Sequence, residues 1–186
     1  MVNNLFVFVR GMLFAGMRKL YHFIPGTFIK ILQQRSKSMS FDREKLREEL
    51  IRDEGVKFEI YNDHLGYPTF GIGHLVTEDD EEHGKAVGTA VSEDRCWEVF
   101  DTDVEKFVTE VKKVYPDIES YPDTVQRVLI NMCFNMGAPR LGKFNNMKKA
   151  VEAGDWKQAA IEGRDSRWHN QVPNRAERLM VALEEV

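Results

Sequence analysis

Cysteine is scarce in this chain: 186 residues contain two, Cys96 and Cys133. One bridge at most cannot frame a domain of this size. Each Cys lies in a helical pattern among apolar neighbours, so buried free thiols are expected, and a single bridge stays compatible with the sequence. Neither has a His at a recognisable spacing, which argues against a catalytic thiol. Six prolines and thirteen glycines leave little room for a long disordered tract. The apolar opening of the chain is interrupted by Arg10, short of the roughly 20 residues that a bilayer needs. Acidic residues are missing from positions 1–41, which hold six basic ones (Arg10, Arg18, Lys19, Lys30, Arg35 and Lys37); the remainder carries 20 basic and 30 acidic residues. A body of net charge −10 argues against nucleic acid as a partner, because phosphates need a basic face. There is no Gly-x-Ser-x-Gly elbow for acyl transfer. Gly71-Ile72-Gly73 lacks the third glycine of a dinucleotide site. His64, His74 and His169 offer no ligand-spaced pair, so neither a metal nor a cofactor is expected.

Two regions follow from this charge split: an arm at 1–40 and a domain at 41–186. The arm is apolar, basic and free of acids. It lacks a basic start and a small-residue cleavage site, which argues against a secretory signal. Its composition suits docking onto a membrane, a particle or another partner. A transit-peptide character and a natural start at Met39 are the competing readings.

From Phe41 the pattern becomes regular. Ser40 or Asp42 can cap a helix with Leu46, Leu50 and Ile51 at helical spacing, stopped by Gly55. Phe58–Tyr61 alternates as a strand, Asn62–Gly66 reads as a turn, and Tyr67–Leu75 reads as a second strand bending into a third. After an acidic loop at 78–82, Ser92 opens a long helix that ends before Pro116. Further helices are predicted at 123–136, 144–153, 155–163 and 174–185. Trp97, Phe100, Phe107 and Trp156 fall at helical spacing and are expected to be core. The fold class is α+β: a small antiparallel sheet lobe, joined by the long helix to a mostly helical lobe, with a ligand cleft between them.

Three oxygen-bearing side chains cluster around the first turn. Glu54 closes the first helix, Asp63 begins the hairpin turn, and Thr69 lies six residues further on the returning strand. Two carboxyl groups, one donating a proton and one activating water, are what glycosidic cleavage requires. Spacing alone is weak support, since a Glu and an Asp nine apart recur by chance among thirty acids.

The run from Asp53 to Leu75 carries more. Glu54-Gly55, Tyr61-Asn62-Asp63 and Gly66-Tyr67-Pro68-Thr69-Phe70-Gly71-Ile72-Gly73-His74 resemble the signature of the phage-type lysozymes, glycoside hydrolase family 24. A second block, Ile130–Gly137, resembles that family's cleft helix, and a third, Ser166–Ala176, its late motif. The resemblance implies a lysozyme-like α+β fold with Glu54 as proton donor, Asp63 as catalytic carboxylate and Thr69 as the hydroxyl that positions water. It implies that Arg175 pairs with the acid, that Leu75 and Phe134 line the substrate groove, and that His74 and Asp103 form a stabilising pair. Asn135, Met147 and Glu162 also fall at groove positions, where the family's type member has Gln, Ser and Asn; Glu162 therefore adds a charge beside the glycan or its peptide stem. The stretch between His74 and Asp103 is shorter than in that member. The acidic body implies weaker unaided attraction to an anionic wall at low salt than a basic family member would show.

The implied function is a muramidase that cleaves the β-1,4 bond between N-acetylmuramic acid and N-acetylglucosamine of bacterial peptidoglycan with inversion. It would act as an endolysin held in the host cytoplasm before release to the wall, or as a virion-associated enzyme. A monomeric catalytic domain is expected. The alternative is a wall-binding or particle-assembly component whose catalysis is incidental; retention of all three of Glu54, Asp63 and Thr69 favours the enzyme.

Overall fold

A computed structural model describes residues 41–186, and the expectations for the arm lie outside that range. The first helix, α1 (Arg43–Glu54), is capped by Asp42, whose side chain accepts from the Lys45 N–H. It buries Leu46 and Leu50 and ends at Gly55, whose φ of 77° only glycine adopts freely. Three short strands follow, β1 (Lys57–Asn62), β2 (Pro68–Gly71) and β3 (His74–Leu75), antiparallel in the order β1-β2-β3. Tyr61 stands opposite Thr69, and Thr69 opposite Leu75.

Helix α2 (Glu93–Val114) is capped by Ser92 and extends about 33 Å at 1.5 Å per residue. Its length is what joins the two cores. Cys96 and Val99 pack with Ile60, Phe70, Val76 and Val91 under the sheet. Phe100, Val104, Val108, Val111 and Val114 belong to the larger helical core. That core also takes Leu46 and Leu50, so α1 packs with the helices although its end meets the sheet. A 3₁₀ turn at Ile118–Ser120 leads to α3 (Asp123–Met136), buried along most of its length and ended by Gly137. Then come α4 (Ala138–Leu141), α5 (Asn145–Glu152), α6 (Trp156–Arg164), α7 (Arg167–Gln171) and α8 (Pro173–Glu184). No helix among the described residues is long and apolar enough to cross a membrane.

The expected elements are present within a residue or two. The 3₁₀ turn, α4 and α7 escaped the sequence because three to five residues cannot display an apolar repeat. Cys96 and Cys133 are free and buried; burial pushes the Cys133 thiol up to about 11, as suits an inert group. Of the four aromatics expected in the core, Phe100 is buried, while Trp97, Phe107 and Trp156 pack half-buried on its edge.

The acidic stretch at 78–82 is more than a solvated loop. Arg95 donates to Asp80 at 3.0 Å and to Glu82 at 3.2 Å, and Glu82 is 3% exposed. Alongside, His74 contacts Asp103 through Nδ1 at 2.6 Å and Asp80 through Nε2 at 3.2 Å. These contacts fasten the loop and β3 to α2.

One glycine reflects close packing. A side chain at Gly163 of α6 would run into the Met180 sulfur of α8, with the Met147 sulfur 3.5 Å away. Gly163→Ala is therefore expected to cost about 1–3 kcal/mol, readable as a lowered urea midpoint at unchanged slope.

Candidate active site

Glu54 lies at the C-terminal end of α1, where the helix turns at Gly55 into β1. Its Oε1 accepts a hydrogen bond from Nη1 of Arg175. Arg175 is buried near the start of α8 and is held by α3: its Nε donates to Asn131 Oδ1 at 2.9 Å and its Nη2 to the Asn131 carbonyl at 3.1 Å. The Asn131 amide donates in turn to Asp53 Oδ2 at 3.0 Å. Asp53, whose side chain is 3% exposed, also pairs with Arg178 and lies 3.4 Å from Arg175 Nε. Two guanidiniums thus face two carboxyl groups, with the Asn131 side chain bonded to both Arg175 and Asp53. A buried charge is tolerable only with such pairing and hydrogen bonding. The consequence is that Glu54 projects from a braced corner of three helices.

Asp63 stands just past the Asn62–Pro68 strand pair, at the mouth of the hairpin. Its Oδ1 accepts from the N–H of Leu65 at 2.8 Å and of Tyr67 at 2.9 Å, the Asx-type arrangement of a tight turn. The Tyr67 N–H, helped by those of Leu65 and Gly66, holds its carboxyl below the usual range, so Asp63 is ionised near neutral pH. Its Oδ2 has no hydrogen-bond partner among the described residues. Thr69, buried on β2, donates its hydroxyl proton to the Tyr67 carbonyl at 3.0 Å. What remains on the Thr69 oxygen is acceptor capacity.

Tyr61 lies near both carboxyl groups. It sits opposite Thr69 on β1, two residues before Asp63, with Lys57 Nζ 4.2 Å from its ring centroid. Its phenol is pushed up first by burial and then by the Asp63 and Glu54 charges, so both carboxylates act on one hydroxyl.

The other predicted positions divide into two groups. Leu75 is exposed opposite Thr69 on β3, and Phe134 is half-buried against Phe107 with ring centroids 4.7 Å apart. Asn135, Met147 and Glu162 line a cavity of about 730 Å³ on the helical lobe, together with Trp168, whose indole N–H donates to Asn135 Oδ1 at 2.8 Å. Met147 is itself buried and supplies the cavity wall from the core side. Glu162 accepts from the Gln158 amide at 2.9 Å. Among the described residues, no group of three His, Cys, Asp or Glu could hold a metal ion.

Residues 52–181 match the model of the phage lysozyme family. The chain belongs to that family. As a phage lysozyme family member it is 33% identical over 156 residues to the pre-baseplate central spike protein Gp5 of Enterobacteria phage T4, covering 74% of this chain and 27% of the spike protein. It is 32% identical over 158 residues to the probable T4-type lysozyme 1 of Dictyostelium discoideum, covering 75% of this chain and 93% of that protein. With the peptidoglycan hydrolase gp36 of Pseudomonas phage phiKMV it shares 28% identity over 133 residues, 14% of that protein. The chain therefore spans about a quarter of the spike protein and nearly all of the Dictyostelium lysozyme. The family is one of glycoside hydrolases of the lysozyme type, and the α+β fold described above is the fold the resemblance implied.

Sequence reasoning passed over Asp53, Asn131, Arg178 and Tyr61. Asn131 and Tyr61 stood inside the quoted blocks, and the place of Tyr61 opposite Thr69 follows once the hairpin register is known. Nothing in the sequence distinguishes Asp53, whose side chain is covered, from the other acids of the chain, most of which face water.

Proposed function

We propose that this lysozyme-family chain is a muramidase of bacterial peptidoglycan, cleaving the β-1,4 bond between N-acetylmuramic acid and N-acetylglucosamine with inversion. What supports this reading is an ionised Asp63 with one oxygen free and, on the returning strand of the same hairpin, a Thr69 hydroxyl left only as an acceptor. Both can take hydrogens from one water, which turns the water's lone pair outward as a nucleophile. In this reading Glu54 donates its proton to the glycosidic oxygen as the bond to the anomeric carbon breaks. The water adds to that carbon from the opposite side and its proton passes to Asp63, while Arg175 keeps the Glu54 carboxyl aimed. Inverting glycosidases leave room for such a water by holding their two carboxyls roughly 6.5–9.5 Å apart. Leu75 and Phe134 serve as apolar groove contacts in the same reading.

The test is the anomeric configuration of the first product released from a defined muropeptide oligomer, read by proton NMR before mutarotation. The α-anomer at the new reducing end is expected. Early β-anomer would overturn the water-activating role of Asp63.

The relatives bear on location and on state. Similarity to a baseplate spike protein favours a virion-associated enzyme, and coverage of nearly the whole Dictyostelium lysozyme favours a domain that works alone as a monomer. The basic arm at 1–40 belongs to this reading as the segment that docks the domain to a membrane or particle.

A further inference from the structure

Asp53 and Glu54 are consecutive at the end of α1, and both draw on one guanidinium. Arg175 donates from Nη1 to Glu54 and holds its Nε 3.4 Å from Asp53 Oδ2. Successive helical residues point about 100° apart, and here that turn decides exposure. The Glu54 side chain is 30% exposed, so water and a sugar can reach it, whereas that of Asp53 is 3% exposed. Each Asp53 oxygen has a partner: Oδ1 accepts from Arg178, and Oδ2 from the Asn131 amide at 3.0 Å. Arg178 stands three residues beyond Arg175 on α8, nearly one helical turn. From β1 come the Tyr61 phenol, which feels both Glu54 and Asp63, and Lys57 over its ring. Arg52 of α1 is exposed and acts on Glu49. On α3 the facing residue is the uncharged Asn131; the nearest charge along that helix, Arg127, is taken by Glu49 and Asp123.

We propose that Asp53 is a positioning residue for the acid: by engaging Arg175 and Arg178 it restrains the positive charge that reaches Glu54, and so preserves there the proton that the reaction consumes. The inference rests on the reading of Glu54 as proton donor and deepens it. An acid catalyst must be protonated before the bond breaks, and a neighbouring cation favours the opposite form. Arg175 aims Glu54, so its charge comes with its function. A second carboxyl beside it, where no substrate reaches, offsets that charge without placing a competing acid in the cleft. Arg178 in turn keeps Asp53 from lying uncompensated among covered groups. Asn131 is bonded to both Arg175 and Asp53, which fixes the sharing geometrically.

Two substitutions with opposite expected effects test this. Asp53→Asn keeps the shape of the side chain and an oxygen for the Asn131 amide but removes the negative charge. Arg178→Gln removes a positive one, and the Arg178 side chain is 40% exposed, so this variant stays readable even if Asp53→Asn fails to fold. Hydrolysis of a soluble peptidoglycan oligomer by the full chain is followed across pH for the parent, both variants and their combination. The alkaline limb of kcat/KM reports loss of the acid's proton in the free enzyme. It is expected to move down by about one pH unit in Asp53→Asn and up by about half a unit in Arg178→Gln, and to return toward the parent in the double variant. Loosened packing lowers activity at every pH alike and shifts no limb. A limb that stays in place in Arg178→Gln, or that moves down there, overturns the assignment. The same displacements are read without turnover by ¹³C NMR titration of the Glu54 side-chain carboxyl. A parent that hydrolyses nothing strikes the muramidase reading, whereas the Glu54 titration midpoints still decide for or against Asp53.

Discussion

Glu54→Gln is expected to reduce glycan hydrolysis by roughly 10³-fold or more while binding to insoluble wall survives. General-acid assistance typically contributes about 10²–10⁴-fold. The amide keeps the size of the side chain and an oxygen able to accept from Arg175, so the corner of α1, α3 and α8 stays assembled. What it cannot do is lose a proton to the leaving oxygen. Lysis of permeabilised cells, followed by turbidity and paired with a wall-pelleting assay, separates the two functions. Near-normal lysis by the variant would remove Glu54 from the reaction; loss of pelleting would show that it serves binding instead.

The second large effect concerns the His74 cluster and is one of stability. Burial on its own would lower the His74 pKa, but the hydrogen bond and charge of Asp103, then those of Asp80, overcome it and leave the value raised. Asp103 and Asp80 are held below their usual range, against their own burial, by contacts that include His74. A raised His contributes stability in full below its unfolded value of about 6.5, and that contribution disappears as pH climbs through the folded value. A depressed Asp contributes above its unfolded value of about 3.9 and loses that contribution as pH falls toward the folded one. The cluster therefore stabilises most strongly between about pH 4 and 6.5. Breaking one side of such a pair costs about 3–5 kcal/mol when it is buried. His74 keeps Asp80, which places Asp103→Asn at the lower end, a fall of roughly 10 °C in Tm at about pH 5.5. The gap between parent and variant is expected to narrow steadily above neutral pH, where the parent loses the same interaction. A gap that stays constant into the alkaline range would show that Asp103 acts by packing and not by charge.

The two effects belong to one design. Helix α2 carries Asp103 to the sheet and buries the valines of the large core further along, so the ion pair fastens the hairpin that bears Asp63 and Thr69. The corner bearing Glu54 is braced separately by Arg175, Asn131 and Asp53. Asp63 with Thr69 on one side and Glu54 on the other are thereby carried on two supports, and the Tyr61 phenol feels both carboxyl groups.

Much of this was legible from residue order alone. Helix and strand positions came from apolar periodicity and from stop signals such as Gly55 and Gly137, because these act within a few residues of backbone. The catalytic candidates came from a dense signature in which turn glycines and chemical groups occupy one short stretch. The sequence by itself therefore determined the fold class, the hairpin, and which three oxygen-bearing side chains to watch. Tertiary structure alone decided how charges are matched. It covered the side chains of Asp53 and Glu82, which resemble any other acid in the chain, because Arg178 and Arg95, distant or loop-separated in sequence, arrive as neutralising partners. Periodicity reports which face of an element is apolar, but pairing of charges depends on distances between elements, and those are fixed only when the cores close.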